Sequence, residues 1–179
     1  MSLTLQLFQQ SEAERQALYN YTLTNDTFCA HPTAIIDLKP SYHSVLVYDA
    51  SDIVGFFVLD NGEDVAIYTD QPNTILLRGY SIDTNQQGKG YAKQSLQLLP
   101  SFAKKHFSDV ETIVLAVNIR NIPAQKAYLK SGFTDTTRTI RLCPAHIITS
   151  LESFRNCSKP FIYKPCNNVS SYYTGYLLH

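Results

Sequence analysis

A short stretch near the middle of the chain, Gln87-Gly88-Lys89-Gly90-Tyr91-Ala92, has the residue types and spacing to hold phosphate. An apolar run from Ile75 to Ile82, interrupted by Arg78 and Gly79, leads to it through the polar Asp83-Thr84-Asn85-Gln86. A helical pattern follows from Tyr91. A strand, a glycine-bearing loop and a helix start make an anion site, because the first-turn N–H groups lack helical partners and the dipole is positive there. Gly88 and Gly90 carry no Cβ to block close approach of phosphate oxygens. The loop is not a P-loop: Gly90, not Ser or Thr, follows Lys89, and the spaced upstream glycine is missing. Lys89 reads as a solvated or phosphate-facing charge. The chemistry expected of the stretch is capture of a pyrophosphate.

A second group lies one strand further on. Asn121 precedes Ile122-Pro123, a good N-cap with proline in the first turn. Tyr128 follows on the same helix, and Gly132-Phe133 closes it. A phenol of pKa about 10 is protonated at neutral pH and can serve as an acid. Candidate bases are less distinct: Glu63, Asp64 and Asp70 precede the central strand, and Tyr68 and Tyr80 lie near it. Cys143 and His146 stand in C-P-A-H with Cys157 and Cys166 beyond, a spacing that fits no standard zinc site. No metal is expected. Cys29 has no obvious partner and reads as a buried thiol.

The elements needed to position these groups are legible over most of the chain. Leu3 to Phe8 alternates as a strand. Ser11 and Glu14 form a capping box for a helix to about Thr22. Asn25 to Pro40 is irregular with one short helix. Ser44–Asp49 and Ile53–Asp60 read as a hairpin turning at Ala50-Ser51-Asp52. Val65 to Tyr68 reads as a short strand or a helical turn. The helix after Gly90 buries Leu96, Leu99, Phe102, Ala103 and Phe107, with Pro100 expected to kink it or remove a bond. Glu111 to Val117 is a buried strand, and Phe133 starts another. Beyond Thr137, Thr139–Leu142 and His146–Leu151 are candidate strands; from Glu152 the pattern has no period.

The totals narrow the function. A chain of 179 residues with 44% hydrophobic and 17% charged residues is a globular composition of one main domain. Its formal net charge of +0 lacks the basic footprint of a nucleic-acid partner. No apolar run approaches the ~20 residues of a membrane span, and no signal peptide opens the chain. The expectation is a soluble cytoplasmic protein with reduced thiols, no membrane association and no nucleic acid.

Taken together, the two motifs resemble the GCN5-related N-acetyltransferase (GNAT) family. The Q/R-x-x-G-x-G/A loop stands here as Gln87-Gly88-Lys89-Gly90-Tyr91-Ala92. The family's Asn…Ala…Tyr…Gly-Phe pattern stands as Asn121, Ala124, Tyr128, Gly132 and Phe133. The resemblance implies an α/β (α+β) fold with a central mixed, mostly antiparallel sheet of six to seven strands flanked by about four helices. It implies a GNAT domain over residues 1–151 and an extension over 152–179. Acetyl-CoA is the implied cosubstrate, bound where two parallel strands, ending at Ile82 and Val117, splay apart. The splay leaves backbone groups of Tyr80, Ser81 and Ile82 without a sheet partner, to be satisfied by the pantetheine arm. The pyrophosphate then lies on N–H groups from Gln87 to Ala92, and Asn121 holds the arm or orients its loop.

The family moves acetyl directly from the thioester to an acceptor, usually a primary amine. Tyr128 matches the position that protonates the departing thiolate, and N–H groups near Tyr80 to Ile82 are placed for the oxyanion. The base is not identified, and water is an alternative. The absence of acidic runs favours a small-molecule amine acceptor. Alternatives are a protein Lys or N-terminal acetyltransferase and a non-catalytic acetyl-CoA-binding sensor. The family's usual closing strand or hairpin is not evident after Phe133. The tail's candidate roles are covering the acceptor cleft or holding a homodimer.

Overall fold

A computed structural model describes residues 3–24, 27–140 and 145–150. Along the chain run β1 (Leu3–Leu7), α1 (Glu12–Tyr19), α2 (Pro32–Ile35), β2 (Tyr42–Asp49), β3 (Asp52–Asp60), α3 (Val65–Tyr68) and β4 (Thr74–Ile82). A 3₁₀ turn, Thr84–Gln86, then leads to α4 (Tyr91–His106), β5 (Thr112–Asn118), α5 (Ile122–Lys130), β6 (Phe133–Ile140) and β7 (Ala145–Ser150). The strands form one seven-stranded sheet in the order β1-β2-β3-β4-β5-β7-β6. Only β4 and β5 are parallel; every other pair is antiparallel.

Local sequence accounts for most boundaries. The Ser11 side chain accepts from the Glu14 N–H while Glu14 accepts from the Ser11 N–H, so α1 starts in a full capping box. It ends at Tyr19, short of the expected Thr22. Val65–Tyr68 resolves as a helical turn. Pro100 does not end α4: the helix runs through it to His106. One missing N–H is outweighed by the face that α4 buries, with Leu96, Leu99 and Ala103 each at 1% exposure. Beyond Thr137, the weak pattern turns out to be a hairpin, with β7 inserted between β5 and β6. Cys143, Pro144 and the chain from Leu151 lie outside the described residues.

The sheet is covered on both faces, and this layering creates two sides for a site. On one face, Val45, Phe57, Leu59, Ile75, Leu77 and Leu115 pack under α4 and α5. On the other, Leu46, Phe56 and Val58 pack against Leu18 of α1 and Ile36 beside α2. Leu76 and Val114 pack against Tyr68 of α3 on that same side. No helix among the described residues is long and apolar enough to cross a membrane.

One irregularity shapes the centre. Between Phe56↔Ser81 and Val58↔Arg78, β3 supplies one residue and β4 supplies both Gly79 and Tyr80. Gly79 has φ +60°, the left-handed geometry of a glycine bulge. A Cβ there would lie 2.4 Å from Ile35 Cδ1, the mobile end of a side chain, so the backbone strain dominates. Gly79→Ala is expected to cost about 1–2 kcal/mol in chemical denaturation. An unchanged midpoint would show that the bulge relaxes without strain.

Candidate active site

The parallel pairing of β4 with β5 runs from Thr74↔Thr112 to Leu77↔Leu115 and stops there. Both strands continue, β4 to Ile82 and β5 to Asn118, but each stays bonded only to its outer neighbour. Ser81 and Ile82 remain paired with Phe56 and Gly55 of β3, and Val117 and Asn118 with β7. The sequence expectation therefore needs sharpening. Ser81 and Ile82 have a sheet partner on the β3 side, and only their β5 side is open. The bulge at Gly79 falls two residues after the last β4–β5 pair, and bulges bend and twist a strand. It supplies a local cause for the divergence.

The glycine loop sits at the end of the opened strand. Gly88 and Gly90 both have φ +81°. A Cβ on Gly88 would meet nothing within 4 Å, and one on Gly90 only Gln94 Nε2 at 3.6 Å. The space in front of the loop is thus open, and glycine is required by backbone conformation as much as by room. Gly90 is the N-cap of α4 and offers no side-chain acceptor. Among the described residues, the N–H groups from Gly88 to Lys93 have no protein acceptor. Gln87 caps the preceding turn, and its Nε2 donates to the Ile82 carbonyl at 3.2 Å. Lys89 Nζ reaches Gln86 Oε1 at 2.7 Å, on the exposed rim. Tyr91 points away, with its hydroxyl on Asp49 Oδ2, and so pins the start of α4 to the end of β2. The Ala92 carbonyl accepts from Tyr80 Oη at 3.2 Å.

Tyr80 and Tyr128 meet beside the gap. Tyr128 lies 6.0 Å from Tyr80 and 5.8 Å from Phe133 between ring centroids, both edge-on, and Tyr80 lies 6.0 Å from Phe57. The Tyr80 hydroxyl bonds to Ser95 Oγ at 2.7 Å, tying β4 to α4. Tyr128 is 8% exposed, and its hydroxyl has no hydrogen-bond partner among the described residues. A buried hydroxyl left so costs about 1–3 kcal/mol. Burial pushes its pKa above the phenol value, with Tyr80 and Cys29 adding to the effect, so it stays protonated. Asn121 caps α5, its Oδ1 accepting from the Ala124 N–H at 3.2 Å, as the N-cap reading expects.

The candidate bases are not gathered at the gap. Asp64 Oδ2 is held by Lys39 Nζ at 2.7 Å and Arg78 Nη1 at 2.9 Å. Burial works against its charge, but those hydrogen bonds outweigh it and keep its pKa below the ordinary carboxylate value. A carboxylate so held is a poor base. Tyr80 is committed to Ser95, Tyr68 of α3 is buried against Leu76 and Val114, and Glu63 and Asp70 are exposed. Sequence reasoning missed the residues across the gap from Tyr128. Tyr21 is 4% exposed and its hydroxyl donates to Ser81 Oγ at 2.9 Å. Cys29, read as merely buried, is half-buried and interacts electrostatically with both Tyr21 and Tyr128. No local pattern marks these residues, because a loop and a bulge bring them together. A shallow cavity of about 280 Å³ between α1 and α2 has no lining residue from β4, β5 or the glycine loop.

A pair of parallel strands opening beyond Leu77, with N–H groups at one end that have no acceptor among the described residues and a buried tyrosine beside the gap, fits a CoA-dependent acyltransferase. Residues 5–133 match the acetyltransferase (GNAT) family, and the chain belongs to that family. It is an enzyme of the acyltransferase class, with acetyl-CoA as its cosubstrate. The "uncharacterized N-acetyltransferase YbbJ" of Bacillus subtilis (strain 168) is 38% identical over 128 residues, covering 68% of this chain and 79% of that protein. Among solved structures, AAC(6')-Ib in complex with ribostamycin and coenzyme A superposes with a TM-score of 0.67 at 17% identity, over 84% of this chain and 93% of that one. A spermidine N-acetyltransferase SpeG chimera from Vibrio cholerae and hSSAT gives 0.61 at 17% identity, over 86% and 97%. At such identities the structures speak for the fold alone.

Proposed function

We propose that this enzyme transfers the acetyl group of acetyl-CoA directly to a primary amine on a small molecule, in the cytoplasm. The observation that carries the reading is the gap between β4 and β5, flanked by the Tyr128 hydroxyl and ending at the glycine-loop N–H groups, none of which has a hydrogen-bond partner among the described residues. In this reading the pyrophosphate lies on the N–H groups between Gln87 and Ala92, with Lys89 at the rim. The pantetheine amides bond to the open edge of Tyr80, Ser81 and Ile82. Asn121 acts by fixing the start of α5. A neutral amine attacks the thioester carbonyl: the C–N bond forms, the C–S bond breaks, and the thiolate takes a proton from Tyr128. The amine's surplus proton passes to solvent, which in turn reprotonates Tyr128, because Asp64 is held by Lys39 and Arg78 and the other candidate bases are not gathered at the gap.

The small-molecule acceptor is supported by the acceptors in the names of two structural neighbours, an aminoglycoside and a polyamine. The chain also lacks the acidic runs suited to a basic protein tail. The test is acetyl-CoA turnover, followed by thiol release, against ribostamycin, spermidine and 2-phenylethylamine. Binding of acetyl-CoA without turnover of any of them would move the reading to a sensor.

Residues 1–151 form the catalytic domain in this proposal, and 152–179 an extension. The family match ends at Phe133, well before the extension begins. A chain ending at Ser153 is expected to bind acetyl-CoA as the full chain does, measured by calorimetry. Loss of binding would make the extension part of the cofactor site.

A further inference from the structure

We propose that the Ser81 hydroxyl, held by the buried phenol of Tyr21, seats the acceptor amine on the face of the sheet opposite the glycine loop. The inference rests on the acetyl-transfer reading above and adds the acceptor side to it.

The argument starts from side-chain alternation. Past the bulge, Tyr80 turns to the α4/α5 face, where it meets Phe57 and Tyr128. Ser81 turns to the other face, where it meets Tyr21. The glycine loop opens α4, so a donor bound there occupies the α4/α5 face. The thioester then faces the gap, which opens to the α1/α2 side. Ser81 lies at that opening, on the part of β4 that has no β5 partner. Tyr80, with its ring 6.0 Å from Tyr128, and Ser81, bonded to Tyr21, are adjacent residues of β4, so groups from the two layers approach each other there.

The hydrogen bonds define what Ser81 can offer. Tyr21 is buried, and that burial raises its pKa, so it keeps its proton and donates to Ser81 Oγ. The Ser81 proton faces the Cys29 sulfur, and a second lone pair on Oγ remains. A neutral amine must aim its lone pair at the carbonyl carbon while an N–H finds an acceptor, and Ser81 Oγ supplies one. A hydroxyl is too weak a base to remove the proton, so Ser81 orients the amine and does not deprotonate it. Cys29 completes a neutral wall: burial pushes its thiol up to about 11, with the Ser81 hydroxyl opposing that rise. Tyr21 is fixed in turn. His31 caps α2, with Nδ1 accepting from the Thr33 N–H. Its other nitrogen therefore carries the proton and donates to the Tyr21 carbonyl at 2.8 Å. The two rings also pack edge-on at 6.0 Å. Tyr21 is a positioning residue that acts through Ser81.

The test is steady-state kinetics of Ser81→Ala, Ser81→Thr and Tyr21→Phe with ribostamycin, spermidine and 2-phenylethylamine, alongside acetyl-CoA calorimetry. Ser81→Ala is expected to lower kcat/KM for the amine about tenfold, mostly through KM, with acetyl-CoA affinity within about twofold of wild type. Ser81→Thr keeps the hydroxyl and should recover most of the loss. Tyr21→Phe should give a smaller loss that vanishes in the Ser81→Ala background, because Tyr21 has nothing left to act through. Wild-type amine kinetics in Ser81→Ala would overturn the inference and leave the transfer reading standing. So would a Ser81→Ala loss that falls wholly on acetyl-CoA affinity. If Ser81→Ala does not fold, wild-type kinetics in Tyr21→Phe overturns it equally. No turnover of any amine by the wild-type enzyme overturns both.

Discussion

Tyr128→Phe is expected to lower kcat by about 10- to 100-fold, leave acetyl-CoA affinity within about twofold, and raise stability by a few tenths to ~1 kcal/mol. The three effects share one cause. The hydroxyl is buried with no partner among the described residues, so the free enzyme gains by losing it. The ring keeps its edge-on contacts with Tyr80 and Phe133, so the core under α5 is preserved. What the variant lacks is a proton for the departing thiolate. The rate loss stays at the low end for acid catalysis, because a thiol of pKa about 8.5 leaves without much help. Stopped-time turnover, calorimetry and urea denaturation on one preparation measure all three. Wild-type kcat with raised stability would make Tyr128 a packing residue only. Lowered stability would mean that the hydroxyl has a partner in the free enzyme.

The glycine loop and the start of α5 were legible in the sequence because backbone requirements leave marks in residue type. Gly88 and Gly90 are glycine since both sit at positive φ, and Asn121 is an N-cap residue since α5 needs one. Tyr128 was legible only through the family resemblance; as a helix aromatic next to Gly-Phe it looks like core, and its ring is core. The layered fold followed from period and punctuation up to Phe133. The β6–β7 hairpin did not, because the Thr-rich run from Thr134 to Thr139 alternates weakly and holds a register shift between Asp135 and Thr139. The cluster proposed for the acceptor left no mark. Tyr21, Cys29 and Ser81 come from a helix end, a loop and a strand, and only tertiary packing joins them. Gly79 was visible as an interruption in an apolar run, but a bulge and a weak strand look alike until the partner strand is known.

Arg78→Met is expected to destabilise the protein by about 3–5 kcal/mol while the part that folds keeps its acetyl-CoA affinity. Arg78 lies on the α3 side of β4, one residue before the bulge, and its Nη1 reaches Asp60 at 3.0 Å and Asp64 at 2.9 Å. Asp60 is 0% exposed; Ser41 Oγ and the Gly62 N–H also bond to it, but Arg78 is its ion-pair partner. Removing Arg78 strands that charge in the core, and the size of the effect comes from the uncompensated carboxylate more than from the lost pair. Asp60→Asn in the Arg78→Met background should therefore recover part of the loss, although Asp60→Asn alone is destabilising. Equilibrium urea denaturation of the four proteins closes the cycle, and additive losses would show that the two side chains do not share one interaction. Acid supplies an independent check on the same network. The Asp64 pKa is lowered in the folded state, so its contribution is fully present above the unfolded value of about 3.9 and is lost as pH falls through the lower folded value. Lys39→Met should flatten that acid limb without touching turnover at neutral pH, because a carboxylate still held by Arg78 is a poor base. An acid limb that keeps its slope in Lys39→Met would place the titrating carboxylate elsewhere and return Asp64 to the list of groups free to take the amine's proton.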